Sequence, residues 1–252
     1  MRVLRYLLIL LPGLAVLPSP VRAQDLAATC HASSSYDITL TPDRLQFDRA
    51  APAPLQVTMA AGVLRTDGAT VPLDAEGRDR LALFERDVRA LAPRVRALAQ
   101  QGVDIVVQGL RADAAGLGLS ADAQADFDHR LANHARELKQ RIAASRSSRD
   151  WQGDAANQYA NQMAADLLPV VATDLGQQAL NAALAGDMQA AAALRDRAAS
   201  MATDLQPRLR RRLQVLRPQV EALCPAITRL AELQQGLRDA RGRPLELLHV
   251  GS

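Results

Sequence analysis

Between residues 35 and 73 apolar and polar positions alternate. Tyr36, Ile38 and Leu40 occupy every second position, Thr41 and Pro42 mark a turn, and Leu45 and Phe47 resume the same period. Leu55, Val57 and Met59 repeat it. Val63 to Val71 reads as a hairpin folded about Asp67 and Gly68, a pair that favours a tight two-residue turn. Pro52 and Pro54 separate these strand pairs. The pattern predicts about four or five short antiparallel strands. One face of such a sheet needs cover, and the helices that follow can supply it.

From Asp74 the period lengthens. Leu81, Phe84, Val88, Leu91, Val95 and Leu98 recur at spacings of three and four, which places them on one stripe of an amphipathic helix. Pro93 lies within the stripe, so a kink or two abutting helices is expected. Val103, Val106, Val107 and Leu110 form a second stripe ending near Gly116 and Gly118. Ser120 is placed to cap the next helix, with Phe127, Leu131, Leu138 and Ile142 inward. The polar run Ser145 to Asp150 predicts a turn before Trp151 and Gly153. A further helix carries Tyr159, Met163, Leu167, Val170 and Val171, with a kink expected at Pro169, and runs toward Leu180 and Leu184 before Gly186. The last stripe is Leu205, Leu209, Leu213, Leu216, Val220, Leu223, Ile227 and Leu230; Pro207, Pro218 and Pro225 oppose one unbroken coiled coil.

These leucines read as core. The expected fold class is therefore α+β, a small N-terminal antiparallel sheet packed against a mainly helical bundle or an extended paired-helix body. Residues 24–73 form the strand-rich head and 74–252 the helical region, packed together as one domain. A bundle would bury every stripe, whereas an extended body would leave a face for a partner; periodicity alone fits both.

Composition agrees with helices packed through small side chains. Of the 252 residues 48% are hydrophobic but only 3% aromatic, so Leu, Ala and Val must supply the apolar mass. Arg2 and Arg5, the run Leu7 to Leu11, and Val21, Arg22 and Ala23 form the three parts of a cleavable signal peptide over residues 1–23. No later segment reads as a transmembrane span. Removing the signal changes the charge. It carries three arginines and no acid, so 30 basic against 27 acidic residues becomes 27 against 27. A balanced mature chain has no general drive toward nucleic acid.

Cys30 and Cys224 both survive cleavage. In an oxidising compartment they form the one available intramolecular disulfide, joining the start of the mature chain to a late segment; the alternative is a free thiol. Two distant cysteines make neither a redox CxxC nor a zinc site alone.

Candidate chemistry is sparse. His129 and His134 are five positions apart, about 140° around a helix, so they miss the shared face that paired metal ligands need. Asp126 with His129, and His134 with Glu137, have the spacing of surface pairs; His31 and His249 lie near the chain ends. Gly109 to Gly118 lacks the phosphate-loop pattern. No catalytic residue, metal or cofactor is expected. Arg208, Arg210, Arg211, Arg212 and Arg217 form the strongest local charge cluster, a solvated helix face paired with an acidic helix or a surface for an anionic partner. Trp151 joins Arg208, Arg211 and Arg212 as a possible partner surface, its first reading being a packing anchor. The expected role is a noncatalytic interaction or cell-envelope maintenance protein of the periplasm, with a periplasmic or envelope protein as partner. The alternative is a small-molecule or lipid-binding periplasmic module, with an anionic or lipid ligand, or an unrecognised hydrolase.

Cys30, the segment Tyr36, Asp37, Ile38, Thr39, Leu40, Thr41 and Pro42, the Asp67–Gly68 hairpin, the long helices and Cys224 together resemble the YggN-like family of uncharacterised secreted proteins from gammaproteobacteria. The resemblance spans essentially the mature chain. It implies a periplasmic protein with its two cysteines paired, and brings no catalytic residues with it. This chain is richer in Ala, Arg and Pro than the family pattern.

Overall fold

A computed structural model describes residues 29–151 and 154–251 of the chain. The signal segment 1–23 and Gly153 lie outside the described residues.

The head is a five-stranded antiparallel meander in chain order: β2 Asp37–Leu40, β3 Leu45–Asp48, β4 Gln56–Ala60, β5 Val63–Thr66 and β6 Ala69–Thr70. Its register follows the alternation. Ile38 faces Phe47, Phe47 faces Val57, and Leu45 faces Met59, so one row of apolar side chains points inward. Asp67 and Gly68 both take positive φ, closing the expected hairpin, and the Asp67 carboxylate also accepts from the Leu55 and Gln56 amides. The motif residues Tyr36 and Thr41 are structural. The Tyr36 hydroxyl donates to the Pro54 carbonyl at 2.9 Å beneath the Arg49 guanidinium, and the Thr41 hydroxyl donates to Asp43 at 2.8 Å in the β2–β3 turn.

Helix α1 (Ala75–Ala115) begins where the Asp74 carboxylate caps the Gly77 amide at 2.7 Å. It runs unbroken through Pro93, so the expectation of two abutting helices is not met. At 1.5 Å per residue its 41 residues span roughly 60 Å. That length serves two cores. Leu81 and Phe84 lie against Leu45, Phe47, Met59 and Leu64 of the sheet, while Val103, Val107 and Leu110 join Phe127, Leu131, Ile142 and Leu167 of the helical body.

The helical body is a bundle. Helices α2 (Ala121–Ala144, capped by Ser120), α3 (Asp154–Leu184) and α4 (Met188–Leu213) pack α1 on α2, α2 on α3, α3 on α4 and α4 back on α1, closing a ring around the second core. The extended alternative is thereby set aside. Pro169 and Pro207 sit inside continuous helices, whereas Pro218 and Pro225 stand in the first turns of the short α5 (Arg217–Glu221) and of α6 (Cys224–Gln234), where a missing amide proton matters least.

Helix does not continue to the C-terminus. After Gln234 the chain returns to the head, and Leu237, Leu245 and Leu247 are fully buried with the sheet. The Gln234 carboxamide accepts from the Leu247 and Leu248 amides at 2.9 and 2.8 Å and donates to the Leu248 carbonyl. His249, near the chain end, lies in β7 (His249–Val250), which pairs with β1 (Ala32–Ser33). Beside this ribbon Cys30 is bonded to Cys224, the first residue of α6, across a sequence separation of 194.

Candidate interaction surface

The residues singled out in the sequence do not converge. Trp151 ends a short 3-10 turn (Ser148–Trp151) and is 37% exposed; its indole N–H donates to Ser145 Oγ at 2.9 Å. The surrounding loop closes the free edge of the sheet. The Leu40 amide donates to the Arg146 carbonyl, the Ile38 amide to Ser148 Oγ, and Arg149 bonds Asp37 at 2.6 Å. Trp151 thus sits at the seam of head and bundle. Arg96 of α1 reaches that level through the Ser145 carbonyl. Arg212 meets Asp113, 17 residues further along α1 and so about 25 Å away.

At that far level Arg208 and Arg212 both point to Asp113, at 3.5 and 3.2 Å, and Arg208 also pairs with Asp204. The Asp113 carboxylate is 7% exposed, so the internal acidic partner is a buried one. Gly109 lets α4 come close: an added Cβ would stand 3.1 Å from Leu209 Cδ2 and 2.8 Å from the Arg212 guanidinium. Arg210 and Arg211 are exposed and have no ion pair among the described residues.

The histidines separate. His129 is exposed, while His134 turns from α2 toward α3, its Nε2 lying 3.0 Å from Asp166. Arg130 joins the same carboxylate at 2.6 Å and Asp126 at 2.9 Å, and the Tyr159 hydroxyl donates to the His134 carbonyl. Asp126 and Glu137 therefore bond Arg130 and Arg141 rather than the neighbouring histidines. Hydrogen bonds from His134 and then Arg130 hold the Asp166 carboxyl below its usual range; the Ser120 hydroxyl does the same for Asp174, at the other end of the α2–α3 contact. These pairs fasten α3 to α2. Among the described residues no three His, Cys, Asp or Glu side chains are grouped to hold a metal ion, and no helix is long and apolar enough to cross a membrane. Two clefts among the described residues are open grooves with charged rims, one at the α1–α2 corner with Arg111 and Asp128, the other between α1 and α6 with Asp87, Arg94 and Arg229.

The surface that sequence reading missed is the outer side of α3. Leu180 and Leu184, toward which the expected helix runs, are 57% and 79% exposed, and Leu168 is 62% exposed. The inward row is Tyr159, Leu167 and Leu175, with Met163, Val170 and Val171 partly buried beside it. From Gln158 to Leu184 the outward positions carry no ionisable group. The helix contains no Lys, Arg or Glu, and Asp166 and Asp174 are turned to α2 and the α1–α2 turn. In the sequence this side reads as a mixture of Leu and Ala with Asn, Gln and Thr, without a charge to mark it as solvated.

Fold and surface define a disulfide-closed α+β protein with a β-head, a helical bundle and an uncharged open helix face. Residues 30–247 match the family described as Protein of unknown function (DUF2884), and the chain belongs to that family. No curated protein and no solved structure matches it. The closed disulfide fits an oxidising, extracytoplasmic setting.

Proposed function

We propose that the mature chain is a noncatalytic periplasmic interaction protein of the cell envelope, and that its YggN-like pattern reflects a secreted gammaproteobacterial origin. The observation that carries this reading is the exposed, uncharged outer face of α3. Leu168, Leu180 and Leu184 stand exposed on a side without ionisable groups, which supports a protein partner over a charged ligand. The signal pattern over residues 1–23 and the Cys30–Cys224 bridge support export. Arg208 and Arg212 are engaged with Asp113, which makes them internal supports and leaves Arg211, without an ion pair among the described residues, as the cation of the expected partner surface.

A photo-crosslinking amino acid placed in cells at Leu184, Trp151 or Arg211 tests this. The expected result is an adduct between the exported chain and an envelope protein from Leu184. Mature protein retained in the cytoplasm, or no adduct with any other protein from any of the three positions, would overturn it.

A further inference from the structure

We infer that the groove between α1 and α6 binds a short unbranched aliphatic carboxylate, with the carboxylate on Arg94 and the chain along Ala90, Leu91, Pro225 and Ala226. The site is separate from the outer face of α3. It runs between two antiparallel stretches. The Arg94 guanidinium donates to the Ala222 carbonyl, just before α6, at 3.2 Å, and two turns earlier on α1 Asp87 meets Arg229 of α6 at 3.0 Å. Asp87, Ala90, Leu91 and Arg94 share one stripe of α1 at helical spacing. Helices packed for cohesion alone fill the space between them. Here the positions that face across are alanine and proline, and a volume of about 330 Å³ stays open over Leu91, itself packed on the head core.

Charge selects an anion and places it. Both oxygens of the Asp87 carboxylate, 17% exposed, are engaged: Oδ1 accepts from Arg86 at 2.9 and 3.0 Å, and Oδ2 lies 3.0 Å from Arg229 Nε. Arg94 has no carboxylate partner among the described residues. Its bond to the Ala222 carbonyl uses one of five N–H donors, and the side chain is on the exposed rim. Three guanidinium groups against one carboxylate leave the groove with a surplus of positive charge. The uncompensated cation stands at one end only, since Arg229 at the other end already holds Asp87. A ligand with a single charged end fits that arrangement, and a guanidinium fork matches a carboxylate through two parallel hydrogen bonds.

The floor selects what the anion is attached to. Both walls are helices, whose backbone groups bond within them: the Ala226 amide donates to the Leu223 carbonyl, and Pro225 has no amide proton to offer. Between the two charged ends a peptide main chain or a sugar therefore finds no hydrogen-bond partner. No aromatic side chain lines the groove to stack a base or ring. An inorganic anion gains nothing from Leu91 or Ala226, whereas methylenes laid over them leave water. The length is bounded as well. Asp87 and Arg94 are two turns apart, about 10 Å, so the chain gains contact until it reaches the Asp87–Arg229 pair and gains little beyond it.

Methyl NMR titration of the mature, disulfide-bonded protein with octanoate should shift the Ala90, Leu91 and Ala226 signals and give a dissociation constant of about 0.1–1 mM. From butanoate to octanoate affinity should rise about two- to fourfold per methylene, and it should level off between octanoate and dodecanoate. Arg94→Gln should weaken octanoate at least about tenfold while leaving the weaker binding of 1-octanol unchanged, a split that mere loss of the Ala222 contact would not produce. Ala90→Leu and Ala226→Leu, one on each wall, should each fill the groove and block both ligands without lowering the melting temperature, and Arg211→Gln should block neither. No shift at these methyls up to about 10 mM octanoate, equal losses of octanoate and octanol in Arg94→Gln, or binding that survives both leucine variants would each overturn the inference. So would tighter binding of an acidic peptide, acetyl-Glu-Ala-Glu, than of octanoate.

Discussion

Single charged residues fix the surfaces of this protein more than its activity, and Asp239 shows how. Its side chain is only 2% exposed, and burial alone would push its carboxyl upward. The Arg243 amide and guanidinium, and the Arg241 amide at 2.9 Å, outweigh that and hold it below its usual range. Because the folded-state value is depressed, the stabilisation is complete above the unfolded value of about 4 and is lost as pH falls through the folded one. Asp239→Asn should therefore cost about 2–3 kcal/mol at pH 7, and urea titrations at pH 7, 5 and 3 should show the gap to the parent chain closing at the lowest pH. The arginine cluster divides in the same way. Arg212, 3.2 Å from the buried Asp113, should lower stability by about 1 kcal/mol when changed to Gln, while Arg211→Gln should be neutral in thermal melts. Equal effects at both positions would deny Asp113 its role as the internal partner. Sequence spacing showed that these arginines share a helix with a leucine stripe; it held no trace of Asp113, which lies on another helix.

Elements were legible where one local pattern decided them. The strand alternation, the Asp67–Gly68 turn and the Ser120 cap each depend on neighbours within a few residues, and all three stand in the fold. Prolines were less legible, because a break at Pro93 and continuity through it differ only in how tertiary packing holds the turn before it. The two sides of α3 were merged for a related reason. Leu167 and Leu168 are adjacent in sequence but about 100° apart on the helix, and only the bundle shows that the first is buried and the second is not. The α1–α4 contact offers an element-scale test. Gly109→Val would place carbon atoms where Leu209 and Arg212 now stand, so α4 must move away from α1. The expected loss is about 1–3 kcal/mol, with faster hydrogen exchange in α4 around Leu209 than in α2. Unchanged exchange in α4 would mean that the contact does not hold that helix in place.

At the scale of the whole molecule, the chain's return to its beginning is what no periodicity announced. Leu237, Leu245 and Leu247 form no sustained stripe, yet they finish the sheet's core, beginning 237 − 70 = 167 positions after the meander ends at Thr70, because the Gln234 clamp and the Asp239 turn lead the backbone there. The cysteines were the only sequence sign of that closure. Their bond ties Cys30 to α6 beside the β1–β7 ribbon, so it restrains both ends of the chain at one place. In the loop-entropy account, closing so long a loop stabilises the fold by roughly 5 kcal/mol, and native strain or residual unfolded structure lowers the figure. The bundle lies inside the closed loop and shares the global effect, but its core of Val107, Phe127, Leu131 and Leu167 is separate from the cross-linked ribbon, so local opening there leaves it in place. Replacing both cysteines with Ser should therefore lower global stability by about 2–5 kcal/mol and raise hydrogen exchange first in β1, β7 and α6, with α2 and α3 protected until global unfolding. Intact-mass analysis of the exported parent should show loss of residues 1–23 and a gain of two hydrogens on reduction. Exchange that accelerates equally in α2 and β7 would show that head and bundle open as one unit and that the bridge holds the whole chain, not only its junction.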